Sequence, residues 1–126
     1  MRYLIDTQIL IWVMHNDRER LSGKILDLLE KEKENCSISI ASLWEMTIKK
    51  SLEKLKIDDA FLRIVQGLDV PVMPVTIDHL QVLQVLPYHH KDPFDRLLVA
   101  QAICEGLALI TSDKHLERYD AKIILA

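Results

Sequence analysis

Residues 93–113 read PFDRLLVAQAICEGLALITSD, and the way this stretch divides decides the fold. Pro93 suits a first helical position, with Asp92 before it as the cap, and a mostly apolar helix follows to Glu105. Gly106 supplies the stop, because glycine takes the left-handed backbone that ends helices without a Cβ clash. The apolar run at 107–111 has the length of a strand, and Ser112-Asp113 closes it. A helix, a glycine and then a strand make one arm of a crossover unit, and similar units recur toward both ends of the chain.

Toward the N-terminus, residues 2–5 read as a short apolar strand. Residues 8–15 follow as a helix with Ile9, Trp12 and Val13 on one face, at i, i+3 and i+4. A second helix covers about 22–33 with the stripe Ile25, Leu28 and Leu29, and Glu30-Lys31-Glu32-Lys33-Glu34 is its solvated end. Residues 36–40 read as the second strand, and Ser42 opens a third helix to about Lys50. A charged connector at 52–56 leads to a fourth helix at 59–68. Pro71 and Pro74 confine the apolar residues of 70–75 to an edge strand, since proline is poorly tolerated in a central one. A short helix at 76–83 turns Ile77, Leu80 and Leu83 inward, and 86–92 is a loop. Beyond Asp113, a short helix at 113–119 precedes a last strand at 122–125. Strands alternating with helices predict an α/β fold, a parallel sheet with helices on both faces.

The chain has 126 residues, enough for one domain with an ordinary core, and a single domain over 1–126 is expected. Its 49% hydrophobic and 28% charged residues are a usual globular balance. The formal net charge of −3 gives no global basic field, which weighs against a passive nucleic-acid coat protein but leaves room for an enzyme with an acidic pocket. Cys36 and Cys104 have neither C-x-x-C spacing nor a histidine at a zinc-like offset, so both are expected as buried thiols. The apolar run from Ile9 to Met14 is too short to span a bilayer, and the N-terminus lacks a signal-peptide layout. No membrane contact and a cytoplasmic location are expected.

Four acids stand where apolar strands pass into helices: Asp6, Glu45, Asp95 and Asp113. Each has a structural explanation. Asp6-Thr7 and Ser112-Asp113 suit helix caps, Ser42-x-x-Glu45 fits a capping box, and Asp95 falls in a first turn where the helix dipole favours negative charge. Asp92 is accounted for as the cap before Pro93. Taken together, however, the four acids converge at the carboxyl edge of a parallel sheet, where open α/β sheets place their sites. Carboxylates so gathered repel unless they bind a cation, share protons or stand apart. Hard ions such as Mg2+ or Mn2+ take oxygen ligands, and no Cys or His set competes for a softer metal.

These residues carry a resemblance. The chain is similar to PIN-domain ribonucleases of the VapC-like toxin type over essentially its full length. The match runs from Arg2-Tyr3-Leu4-Ile5-Asp6-Thr7 through Ala41-Ser42-Leu43-Trp44-Glu45 and His89-His90-Lys91-Asp92-Pro93-Phe94-Asp95-Arg96 to Leu109-Ile110-Thr111-Ser112-Asp113. The resemblance implies a PIN-like α/β/α three-layer fold with a roughly five-stranded parallel sheet. It also implies Mg2+- or Mn2+-dependent endonucleolytic cleavage of RNA, a homodimer and neutralisation by a partner antitoxin. By position, Asp6, Glu45, Asp95 and Asp113 match the family's acidic quartet, holding metal directly or through waters, with Glu45 or Asp113 as the proton acceptor. Thr7 and Thr111 would be supporting hydroxyls. Members of this subtype often have histidine where this chain has Gln8, so a substrate contact at that position does not carry over.

For gripping RNA, Lys49, Lys50, Lys54 and Lys56 form a basic stretch after Glu45, and His90 and Lys91 precede the helix of Asp95; phosphate contacts there would make binding salt-dependent. Arg96 is expected either to pair with a carboxylate or to touch phosphate. Trp12 and Trp44 are expected in the core, while His15, His79 and His115 have no evident partner. Two other functions compete. A catalytically silent module would receive a basic partner peptide in the acidic pocket, but an intact quartet argues against it. An aspartyl-nucleophile phosphotransferase would carry a second Asp two residues after the first, where this chain has Gln8.

Overall fold

A computed structural model of the chain describes residues 2–126. Five strands form one all-parallel sheet: β1 (Tyr3–Ile5), β2 (Cys36–Ser39), β3 (Val72–Met73), β4 (Ala108–Thr111) and β5 (Ile123–Leu125). Their order across the sheet is β3-β2-β1-β4-β5. The chain winds outward from β1 to β3, then crosses back to place β4 on the other flank of β1. The winding direction therefore reverses between β1 and β4, and the crevice at their carboxyl ends is where such sheets bind ligands.

Six α-helices join the strands: α1 (Thr7–Met14), α2 (Gly23–Lys31), α3 (Ile40–Ser51), α4 (Phe61–Gly67), α5 (Ile77–Val85) and α6 (Pro93–Glu105). Strands β1, β2 and β4 are buried along their whole length, as expected of parallel strands covered on both faces. Tyr3, Ile5, Ile38 and Ile110 face a core shared with Ile9, Ile25, Met46, Phe61 and Val65 of α1 to α4. Leu4 and Leu109 point to the opposite face, against Leu98 and Val99 of α6 and Leu116. Each fully buried aliphatic side chain contributes roughly 1.5–3 kcal/mol relative to exposure, so the two cores fix which way every strand faces.

Helix α6 runs from Pro93 to Glu105 as its sequence predicts. The Asp92 carboxylate caps it by accepting the N–H groups of Phe94 and Asp95, and Gly106 closes it at φ 67°. The other expected elements are present, but several details differ. Helix α3 starts at Ile40, two residues earlier than expected, because Ser39 is its cap and accepts the Ala41 N–H. The Ser42–Glu45 capping box therefore does not form. On α1 the buried apolar residues are Ile9, Leu10 and Ile11, whereas Val13 faces solvent and Trp12 is half-buried.

Helix α5 departs most. Ile77 is 74% exposed and Leu80 is exposed too, while His79 is fully buried. The cause is a reciprocal cap: Thr76 Oγ1 accepts the His79 N–H, and His79 Nδ1 accepts the Thr76 N–H. That pair sets the rotation of the helix and turns His79 toward α6, the element α5 mainly packs on. Cys36 is buried as expected and Cys104 only half-buried. Among the described residues, no helix is long and apolar enough to cross a membrane.

Candidate active site

Asp6, Glu45, Asp95 and Asp113 line one pocket of about 220 Å³ at the carboxyl edge of β1 and β4, together with Gln8, Lys49 and Asp92. Asp6 ends β1 and caps α1. Its Oδ1 accepts the Ile9 N–H at 2.9 Å, and its Oδ2 accepts the Thr111 hydroxyl. Thr111 ends the neighbouring strand β4, and its Oγ1 also accepts the Asp113 N–H at 3.1 Å. One hydroxyl thus joins the two acids contributed by adjacent strands. Thr7, the other supporting hydroxyl of the sequence reading, donates to Ser42 Oγ at 3.0 Å and ties the start of α1 to α3.

Glu45 is buried on α3, with Oε2 paired to Lys49 Nζ at 2.8 Å. Its Oε1 is buried and has no hydrogen-bond partner among the described residues. Asp95 sits in the first turn of α6. Burial, with Asp92 and Asp6 close by, pushes its carboxyl up to about 7, although His90 pulls the other way. Asp6 is likewise raised to about 6, chiefly by burial; the Thr111 and Ile9 bonds oppose that rise, while Glu45 and Asp113 add to it. Asp113 behaves oppositely. Partial burial would raise it, but the backbone N–H and ring of His115 and the ring of His90 outweigh that and hold it below the usual carboxylate range. The pocket therefore holds acids driven in opposite directions by their surroundings, a pattern typical of functional sites.

His90 Nε2 is 2.8 Å from Asp113 Oδ2 and 3.8 Å from Asp95 Oδ2. His115 Nδ1 is 3.0 Å from Asp113 Oδ1, so this histidine does have a partner. One ligand atom from each of His90, Asp95 and Asp113 lies within 4.8 Å of the others. His90 Nδ1, however, accepts the Asp92 N–H and its Nε2 faces Asp113 as a donor, so the carboxylates are the groups left to meet a cation. The partnerless Glu45 oxygen, the raised carboxyls and the predominance of oxygen donors fit a hard divalent cation in this pocket. A second such grouping, His79, Cys104 and Glu105, fits a metal poorly. The Thr76 N–H occupies His79 Nδ1, so Nε2 carries the proton, which it directs to Glu105 Oε1 at 2.8 Å.

Of the expected RNA-gripping residues, only Lys49 lines the acidic pocket. Lys50 Nζ instead fastens the connector, donating to the Ile57 carbonyl and pairing with Asp59, each at 2.8 Å. Lys54 lies exposed beyond the turn at Glu53 and does not line the acidic pocket. Lys91 is exposed and lines a shallow depression with Tyr88, His89, His90 and His115. Arg96 meets neither expectation: it is buried and its guanidinium bonds to the carbonyls of Leu86 and Pro87 and to the Tyr119 hydroxyl. Trp44 is not in the core. It is 60% exposed and meets Phe94 edge-on, with ring centroids 5.2 Å apart. Sequence reasoning passed over Tyr119, which carries no local signal of its contacts.

In overall structure the chain resembles VapBC2 from Rickettsia felis, solved bound to a DNA fragment from their promoter. The TM-score is 0.78 at 18% identity, covering 100% of this chain and 99% of the other. DNA-bound VapBC from Salmonella typhimurium matches with a TM-score of 0.75 at 18% identity, covering 98% and 97% of the two chains. A toxin–antitoxin complex from Klebsiella pneumoniae matches at 0.65 with 20% identity, covering 97% and 95%. No individually curated protein matches the chain by sequence. The PIN-domain family model spans residues 3–122, taking in all four acids, and the chain belongs to that family.

Proposed function

We propose that this chain is a Mg2+- or Mn2+-dependent endoribonuclease acting as the toxin of a toxin–antitoxin pair. The observation that carries the reading is the convergence of Asp6, Glu45, Asp95 and Asp113 in one pocket where the sheet reverses its winding, with one buried Glu45 oxygen unpartnered. Family membership and the likeness to toxins solved with their antitoxins support it.

In this reading Asp6, Asp95 and Asp113 are the residues that would hold the cation, with Glu45 completing the oxygen set. A bound divalent ion supplies Lewis acidity toward the phosphodiester and toward water, and charge stabilisation on the leaving oxygen. The chain's own residues do the rest. Thr111 and the Ile9 N–H hold Asp6, while His90 and His115 hold Asp113. Both Asp113 oxygens already accept hydrogen bonds, so Glu45 Oε1 is the better-placed acceptor for the proton released by the attacking water. Lys49, half-exposed on the pocket wall, provides the cation nearest an incoming phosphate. A single domain over 1–126, an antitoxin partner and a homodimer belong to the same proposal.

The test is cleavage of a mixed RNA pool by purified protein with Mn2+ or Mg2+ against EDTA, beside Asp95→Asn prepared identically. Metal-dependent fragments lost in the variant are the expected result. Intact RNA under every condition, with antitoxin shown to be absent and several RNA sources tried, would overturn the nuclease reading and favour a silent module that binds basic peptide.

A further inference from the structure

The loop before α6 is fastened at nearly every residue, and the fastenings converge on one imidazole. The Tyr119 hydroxyl oxygen accepts the backbone N–H of His89 at 3.1 Å and of His90 at 3.0 Å. Arg96 Nη1 donates to the same oxygen at 3.1 Å and to the Pro87 carbonyl at 2.9 Å, and Nη2 reaches the Leu86 carbonyl at 3.4 Å. The guanidinium also lies 4.2 Å from the centre of the Tyr88 ring. Arg96 is buried with no carboxylate partner among the described residues, a costly placement for a charge unless its rigid fork is satisfied as fully as it is here.

The fastened loop delivers His90 in one defined state. Its Nδ1 accepts the Asp92 N–H at 3.1 Å. A backbone amide can only donate, so Nδ1 carries the lone pair and the ring proton resides on Nε2. That proton points at Asp113 Oδ2, 2.8 Å away. A flipped ring would lose both bonds. An imidazole N–H of fixed orientation on a ligand carboxylate is the kind of outer contact that sets how the carboxylate is presented.

We propose that Arg96 and Tyr119 are positioning residues, which clamp the 86–90 loop so that His90 keeps its Nε2–H on Asp113 and holds that carboxylate in place. The inference rests on the nuclease reading only for the purpose of that placement. Tyr119→Phe keeps the ring in the core and removes only the acceptor oxygen; Arg96→Lys keeps the charge and removes the fork, and serves should the first variant not fold.

The first measurement is the long-range 1H–15N spectrum of the metal-free, labelled protein, recorded above neutral pH. Wild type is expected to show His90 as the single Nε2–H tautomer, and either variant to show the averaged pattern of a released ring. The second is the Mn2+ affinity of wild type, Tyr119→Phe, His90→Ala and the double variant. Tyr119→Phe should weaken Mn2+ by about tenfold, within the range usual for outer contacts, and should cost nothing further in the His90→Ala background. An unchanged tautomer in both variants, or an effect of Tyr119→Phe that adds in full to that of His90→Ala, would overturn the proposal. Neither readout needs RNA cleavage, so a wild type that leaves RNA intact would count against the nuclease reading alone.

Discussion

Lys49 Nζ lies 2.8 Å from Glu45 Oε2 across one turn of α3, and this pair brings the ammonium into a pocket that Asp6, Asp92, Asp95 and Asp113 also line. Glu45 is buried and Lys49 about half-exposed, so removing the lysine strands a buried charge whose other oxygen already lacks a partner. Lys49→Met should therefore lower the stability of the metal-free protein by about 1–3 kcal/mol, below the loss for a fully buried pair because water reaches the lysine. A divalent cation should recover much of that loss by mass action on the folded state. Thermal melts with and without Mn2+ check both halves, and a metal-free melt equal to wild type would remove the pair from any role in the pocket.

The raised carboxyls make the metal-free protein sensitive to pH in a defined direction. Asp95 titrates near 7 and Asp6 near 6 when folded, both above the value of an unfolded aspartate. Folding therefore favours their protonated forms. The resulting stability is fully present below about pH 4 and is lost as pH rises through 6 and 7. Chelated wild type should lose roughly 2–4 kcal/mol relative to Asp95→Asn between pH 5 and 8, and Mn2+ should abolish that difference in slope. Denaturant melts of both proteins across this window provide the test. Parallel stability curves would mean that Asp95 is not under strain in the pocket.

What the sequence makes legible follows from how local each cause is. Helix α6 is readable because its cap, its first-turn proline and its closing glycine all lie within its own segment. The acidic quartet is readable for a related reason: Asp6, Glu45 and Asp113 follow strands whose apolar runs mark the sheet's edge, and Asp95 lies in the first turn of the helix that leads into β4. The Ser42 cap fails because Ser39 competes for the same helix start, and only the β2 register, which runs through Ser39 beside Met73, decides between them. Trp44 fails because composition marks a large apolar residue without saying which helix face the core covers. Tyr119 and Arg96 lie far apart in sequence, and nothing in either segment announces that they meet at one loop.

Helix α5 turns the same lesson into a measurement. Hydropathy would rank Ile77 above His79 as a contributor to folding, whereas the structure buries the histidine and exposes the isoleucine. His79→Ala removes one arm of the reciprocal cap and leaves the Thr76 N–H unanswered. It should cost about 1–3 kcal/mol, while Ile77→Ala should stay within about 0.5 kcal/mol of wild type. Comparing the midpoints of the two denaturant curves suffices. A larger loss from Ile77→Ala would show that α5 rests on its apolar side, for example against a second copy or another chain.

Thr111 offers the sharpest separation of structure from chemistry in the pocket. Its hydroxyl donates to Asp6 and accepts from the Asp113 N–H, so it spans the ends of β1 and β4 with a single oxygen. Valine has nearly the same shape but neither bond. Thr111→Val should leave the sheet intact, because Thr111 still lies in register with Leu125 and its side chain still fills a buried site. Losing the bonds should cost about 1–2 kcal/mol in the metal-free protein. The larger effect should fall on Asp6: with the opposing bond gone, burial pushes its carboxyl higher still. A neutral Asp6 binds a cation poorly, so Mn2+ affinity near pH 7 should fall by about 10- to 100-fold and recover toward wild type as pH is raised. Calorimetric titrations at two pH values distinguish this from simple loosening of the fold, which would weaken binding equally at both.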